Sequence, residues 1–191
     1  MTQFNWTRAF LFVVAISGLL SFSHDFFTRG EVLDSYLGVD VFYNGEDFTR
    51  VSGRNLTADG YNLGLKYQCV EFVKRFYYEQ YQHKMPNTYG HAREFFDQSL
   101  PDVAFNYDRG LMQYRNIRYV KPEVNDIIVY DGFGPNPFGH IGIITRVGEN
   151  EIEYISQNVG RKTRQTLKLV EYKGIWTIAD YDVLGWLRIK E

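Results

Sequence analysis

The order in which the hydrophobic period changes along these 191 residues constrains the fold more than any other feature. Across residues 67–81, YQCVEFVKRFYYEQY, the rings and aliphatics Phe72, Val73, Phe76 and Tyr77 recur at helical spacing, and Glu71 stands one turn before Arg75. Thr88 is placed to cap a second helix running to about Gln98. From about Asn125 the pattern changes to short apolar runs of strand length: 126–130 (DIIVY), 140–147 (HIGIITRV), 151–159, 166–172 and 183–189. A turn-rich loop, DGFGPNPFG at 131–139, joins the first two runs, and Gly148-Glu149-Asn150 makes a tight hairpin between the second and third. Helices first and an antiparallel meander second predict an α+β fold with segregated layers rather than a doubly wound sheet. Residues 24–63, rich in Gly, Asp, Asn and Ser, read as an irregular lead-in.

The first 23 residues have a different character. A short polar stretch with the single cation Arg8 precedes the apolar run AFLFVVAISGLL at 9–20, followed by Ser21-Phe22-Ser23 and the polar His24-Asp25. This layout predicts a signal peptide or an uncleaved signal anchor over 1–23, with one domain over 24–191. The run is shorter than the roughly 20 residues that span a bilayer comfortably. The expected location is therefore exported, periplasmic or at the cell surface, with any membrane contact made through the leader. A net charge of −2 and a pI near 6.1 give no footprint for nucleic acid. Neither a phosphate loop nor a dinucleotide fingerprint is present, and the four histidines do not fall at metal-ligand spacing, so no cofactor or metal is expected.

Chemistry concentrates on Cys69, the only cysteine, which excludes an intramolecular disulfide. It falls in the first turn of the predicted helix. Unpaired N–H groups there favour negative charge and are expected to depress a thiol pKa, producing the thiolate that is the actual nucleophile. An imidazole would assist and later protonate a leaving amine. His140 opens a predicted strand directly after a glycine-rich loop, where a sheet edge can form a cleft. His24, His83 and His91 are less well placed.

The segment Gly64-Leu65-Lys66-Tyr67-Gln68-Cys69-Val70-Glu71-Phe72 resembles the nucleophile motif of the CHAP superfamily, the cysteine, histidine-dependent amidohydrolases/peptidases. The version with a following basic pair is most similar to the amidase domain of the glutathionylspermidine synthetase/amidase family. Gly139-His140-Ile141-Gly142-Ile143-Ile144 resembles that family's histidine strand, and residues 122–129 its preceding strand, with Asn125 for the usual glycine. Ser156-Gln157-Asn158-Val159 resembles the strand carrying the third catalytic group, and Leu184-Gly185-Trp186 the closing strand. The resemblance implies a papain-like fold, N-terminal helices packed on an antiparallel sheet. It also implies a thioester route in which Cys69 attacks an amide and Gln68, with the Cys69 N–H, helps hold the oxyanion.

One departure concerns the third group. Ser156 stands where the family carries a glutamate, and serine supplies no charge. Strand alternation puts Tyr154, Ser156 and Asn158 on one face and Glu153, Ile155 and Gln157 on the other. Asn158 is therefore the expected orienting residue, as an asparagine is in papain, with Asp131 as a second candidate carboxylate. Lys74 and Arg75 match the family's basic pair and are read either as contacts to an acidic substrate or as a solvated face with a Glu71–Arg75 pair; Asp131 is also a candidate for a cationic substrate group. Three functions follow: an exported amidase acting on peptidoglycan peptides, an amidase of glutathione–polyamine conjugates, or a catalytically impaired protein that binds wall peptides.

Overall fold

The computed structural model describes residues 28–190, so the predicted leader lies outside the described residues. Two small antiparallel hairpins come first. Strands β1 (Val32–Tyr36) and β2 (Val39–Phe42) are joined by Leu37-Gly38, both at positive φ (49° and 81°), the two-residue turn whose twist suits a tight hairpin. Strands β3 (Arg54–Leu56) and β4 (Asn62–Leu65) follow. These hairpins occupy the stretch read from sequence as irregular, where the runs are too short to show a period.

Helix α1 (Cys69–Tyr81) matches the predicted segment. Tyr67 sits at φ 68°, turning the chain, and Gln68 is the extended N-cap, so Cys69 is the first helical residue. The helix ends at Gln82, whose left-handed backbone (φ 52°) lets its N–H reach the carbonyls of Tyr77 and Tyr78.

The second predicted helix is a correction. The chain forms only a 3₁₀ turn, Ala92–Phe95, and α1 is the single α-helix among the described residues. The physical reason is visible in two buried cations. Arg109 donates to the carbonyls of Asn87 (2.8 Å), Tyr89 (3.0 Å) and Glu94 (3.0 Å), and Lys74 donates to that of Thr88 (3.0 Å). Side chains thus take the acceptors that a helix ladder would use.

The remaining strands are β5 (Ala104–Asn106), β6 (Leu111–Arg115), β7 (Ile127–Tyr130), β8 (His140–Val147), β9 (Glu151–Ile155), β10 (Arg164–Tyr172), β11 (Ile175–Ile178) and β12 (Val183–Arg188). They form one sheet in the order β11-β10-β9-β8-β7-β12-β6-β5, every neighbour antiparallel. The α+β class holds, with a sheet far larger than its helical layer. One face carries Ile127, Val129, Ile141, Ile143 and Leu187 against Cys69, Phe72, Val73 and Phe76 of α1. The other carries Ile128, Tyr130, Ile144, Tyr154 and Trp186. Arg118, just past β6, exchanges backbone hydrogen bonds with Trp176 of β11 (2.7 and 3.3 Å), so the sheet curls over this second cluster.

Gly64 sets how closely β4 approaches α1. Its φ is +134°, and a Cβ there would stand 3.2 Å from both the N and Cα of Glu71. Replacing it by alanine combines a strained backbone with a backbone clash, costing roughly 2 kcal/mol. A Gly64→Ala variant should melt several degrees lower in differential scanning calorimetry; an unchanged Tm would contradict the close approach.

Candidate active site

Cys69 and His140 open on one cavity of about 540 Å³, walled by segments 48–51, 88–92 and 136–140 and floored by residues 68–70. Two elements deliver them. The first turn of α1 carries the sulfur, and the first residue of β8, just past Gly139 at φ 72°, carries the imidazole. They make no hydrogen bond to each other. Cys69 is 8% exposed, and its sulfur lies against the backbone N–H groups of Ile141, Val70 and Cys69 itself. His140 is half-buried: the residue lines the cavity, while its Nε2 is sealed from solvent.

Burial decides the electrostatics of this pair. It pushes the Cys69 thiol up from its ordinary 9.0 to about 11, against the pull of the surrounding N–H groups. A change of that size corresponds to roughly 3 kcal/mol. A helix terminus offers about 0.3–1 kcal/mol. The depressed thiol pKa expected from sequence is therefore overturned: helix position was legible, but burial was not. Burial also pushes His140 down from 6.5 to about 4. At neutral pH the resting pair is a thiol beside a neutral imidazole.

Asn158 lines the same cavity, but its amide is fully engaged elsewhere. It donates to the Phe48 carbonyl (2.8 Å) and to Gln68 Oε1 (2.6 Å), and accepts from Asn44 Nδ2 (2.9 Å). Side chains alternate as expected through Gln157, and the alternation breaks one residue later. Strand β9 ends at Ile155, and Asn158 sits at φ 70°, which swings it to the helix side of the sheet. Gln68 is committed as well. Its two amide protons go to the carbonyls of Phe48 (3.1 Å) and Arg50 (2.9 Å), and its backbone N–H goes to Leu65 (3.1 Å). No donor of Gln68 remains for an oxyanion; together with Asn158 it fastens the 45–50 loop beside the nucleophile.

The other expected site residues lie away from the cavity. Arg75 is buried, paired with Glu71 (2.7 Å) and bonded to the Asp40 carbonyl (2.7 Å), so it braces the core. Lys74 is fully buried, donates to the carbonyls of Asn62 and Thr88, and is held down to about 8, chiefly by burial. Neither is on a solvated face. Asp131 caps the Gly132 N–H (2.7 Å) and faces Arg93 (3.7 Å). Glu153 pairs with Arg164 (3.0 Å) and Thr145 (2.8 Å). Ser156 is fully buried, and its hydroxyl meets no partner.

Sequence reasoning missed four wall residues. His91 stacks near Phe138 (4.6 Å between ring centroids), and Arg54 lies over the Tyr89 ring (5.5 Å). The long separation of 54, 89–91 and 138 along the chain leaves no local signal. Among the described residues, no carboxylate lines the cavity, and Arg54 is its permanent charge. No group of side chains that could hold a metal ion is found among the described residues, and no described helix is long and apolar enough to cross a membrane.

Comparison with known proteins places this geometry in a family. The CHAP domain model matches residues 59–158, a span holding both Cys69 and His140. The trypanothione synthetase of Crithidia fasciculata is 32% identical over 83% of this chain, and the bifunctional glutathionylspermidine synthetase/amidase of Escherichia coli is 29% identical over 65%. This chain spans about a quarter of the length of these relatives, 26% and 22%. The crystal structure of Ly7917 aligns over 51% of this chain and 42% of that one at 15% identity, with a TM-score of 0.29, too low to speak for a shared fold. With a thiol at a helix start, an imidazole at a strand start and a family match across more than half its length, the chain belongs to the CHAP domain family, the cysteine, histidine-dependent amidohydrolases/peptidases.

Proposed function

We propose that this chain hydrolyses the amide of a peptide conjugate of the glutathionyl–polyamine type, with Cys69 as nucleophile and His140 as base. The observation that carries the reading is the shared cavity of Cys69 and His140 in a chain of this family. The names of the two relatives supply the substrate class. The cavity's charge agrees with an acyl half that bears a carboxylate. Arg54 lines it, and Lys74 and Arg109 lie buried behind its wall bonded to carbonyl oxygens rather than to carboxylates. A polyamine finds no counter-charge among the lining residues, so the amine half extends outward.

In the reaction, the imidazole takes the thiol proton as sulfur attacks the amide carbon, forming the C–S bond. Collapse breaks the C–N bond, and the imidazolium returns the proton to the departing amine. Water then cleaves the thioester with the same base, releasing the acid and restoring the thiol. The N–H groups of Ile141, Val70 and Cys69, which lie against the sulfur, are the donors offered to the developing oxyanion.

A second reading has its own observation. The apolar run at 9–20 predicts export, and wall peptides also carry carboxylates. On that reading the chain acts outside the cytosol on peptidoglycan peptides.

Purified protein incubated with glutathionylspermidine and, separately, with muropeptides should release free amine from the first, and a Cys69→Ala control should release none. Cleavage of muropeptides alone would transfer the assignment to the wall, and turnover of neither would favour a binding protein. Because a general base must be neutral, the acid limb of kcat/KM should fall near pH 4, the value to which burial takes His140, rather than near 6.5. Iodoacetamide should label Cys69 more slowly than a free thiol at pH 7, with the rate climbing as pH approaches 11. Rapid labelling at pH 7 would show that the thiol is ionised at rest.

A further inference from the structure

Exposed apolar side chains gather around the cavity. Phe48 (40% exposed), Val51 (54%), Tyr89 (66%) and Phe138 (44%) all line it. Scattered singly, such residues need no explanation, but several around one opening mark a surface that a ligand covers. The chemistry proposed above assigns one part of that surface. The imidazolium of His140 must return its proton to the departing amine, so the leaving nitrogen stands beside that residue. Phe138 precedes His140 by two positions, in the loop that leads into β8, and both line the cavity. His91 meets Phe138 from the 88–92 wall, ring centroids 4.6 Å apart and planes at 40°.

The backbones carrying both rings are tied down. The Phe138 carbonyl accepts the Arg93 N–H (3.0 Å), and Asn136 accepts the Phe138 N–H (3.2 Å) while donating to the Gly139 carbonyl (3.0 Å). His91 N-caps the 3₁₀ turn in a reciprocal box with Glu94, whose carboxylate takes the His91 N–H (2.7 Å). The acids carried by these two segments are engaged there. Glu94 serves that box, and Asp131 accepts the Gly132 N–H (2.7 Å) and faces Arg93 (3.7 Å). Neither lines the cavity, whose permanent charge, Arg54, repels an ammonium group. The two rings therefore form a shelf that offers apolar surface without an anionic partner.

We propose that Phe138 and His91 form the leaving-amine subsite, and that it selects for the methylene chain on the amide nitrogen rather than for any ammonium group beyond it. This rests on the amide hydrolysis proposed above. A buried methylene is worth about 0.8 kcal/mol, close to fourfold in affinity, whereas an ammonium drawn from water without a carboxylate partner loses hydration. The charged end of the amine stays in solvent past the rings. A polyamine conjugate then qualifies through its carbon chain, and an uncharged straight-chain alkylamide qualifies equally.

The test uses the glutathionyl amides of methylamine, n-propylamine and n-pentylamine. The 4-aminobutylamide matches the last in length but ends in an ammonium. Turnover is followed with wild type, and Kd is measured by calorimetry on Cys69→Ala. In wild type, kcat/KM should rise about threefold per added methylene, a little under the value for full burial. The 4-aminobutylamide should be no better than the n-pentylamide. Phe138→Ala should flatten the slope and His91→Ala should lessen it, while Phe138→Leu, which keeps apolar surface, should retain most of it. Because the slope is a ratio within one variant, a general loss of activity does not imitate its loss. A flat series in wild type, a wild-type slope in Phe138→Ala, or an advantage of about tenfold for the 4-aminobutylamide would overturn the proposal. If no amide is turned over, the hydrolytic reading fails by itself. Kd on Cys69→Ala then decides the subsite: tightening with chain length supports it, and a flat or absent response overturns it.

Discussion

The site depends on one buried carboxylate. Glu71, in the first turn of α1, accepts from Asn55 of β3 (2.7 Å) and Arg75 (2.7 Å) at Oε1 and from Gln157 (2.9 Å) at Oε2. Gln157 also donates to the Gln68 carbonyl (3.0 Å) and accepts the Phe42 N–H (2.7 Å), while Arg75 reaches the Asp40 carbonyl (2.7 Å). Helix start, both N-terminal hairpins and the chain beyond β9 are therefore fixed to one another within a turn of Cys69. Removing one member of a buried ion pair typically costs 3–5 kcal/mol, because the other charge is left unpaired. Within the motif QCVEF, Glu71 thus determines where Cys69 stands.

Around that anchor, desolvation wins over local dipoles. The N–H groups that would stabilise a thiolate are present, yet burial outweighs them, and the imidazole is held neutral by the same exclusion of water. Among the described residues no carboxylate lines the cavity, and the guanidinium-bearing Arg54 does.

The helix and the central strands were legible because each carries enough residues to show its period: α1 begins within two residues of the predicted start, and β7, β8 and β12 fall where apolar runs placed them. The hairpins β1–β2 and β5–β6 and strand β11 were not, since three to five residues cannot separate a strand from a loop. That Cys69 and His140 share one cavity was legible from position and motif. The roles of Gln68, Lys74, Arg75 and Asn158 were not, because each depends on a long-range partner or on a single left-handed residue at the end of a strand. Side-chain alternation outlasted β9, which ends at Ile155, through Gln157, and broke at the left-handed Asn158.

The central claim is that the Cys69 sulfur becomes covalently bonded to the acyl half of the substrate. Acid-quenching a reaction with glutathionylspermidine in its first turnover and mapping peptides by mass spectrometry tests this directly. The account predicts a glutathionyl thioester on the peptide containing Cys69, lost on longer incubation and absent from Cys69→Ala. Amine release with no adduct on Cys69, or an adduct confined to another residue, would contradict it.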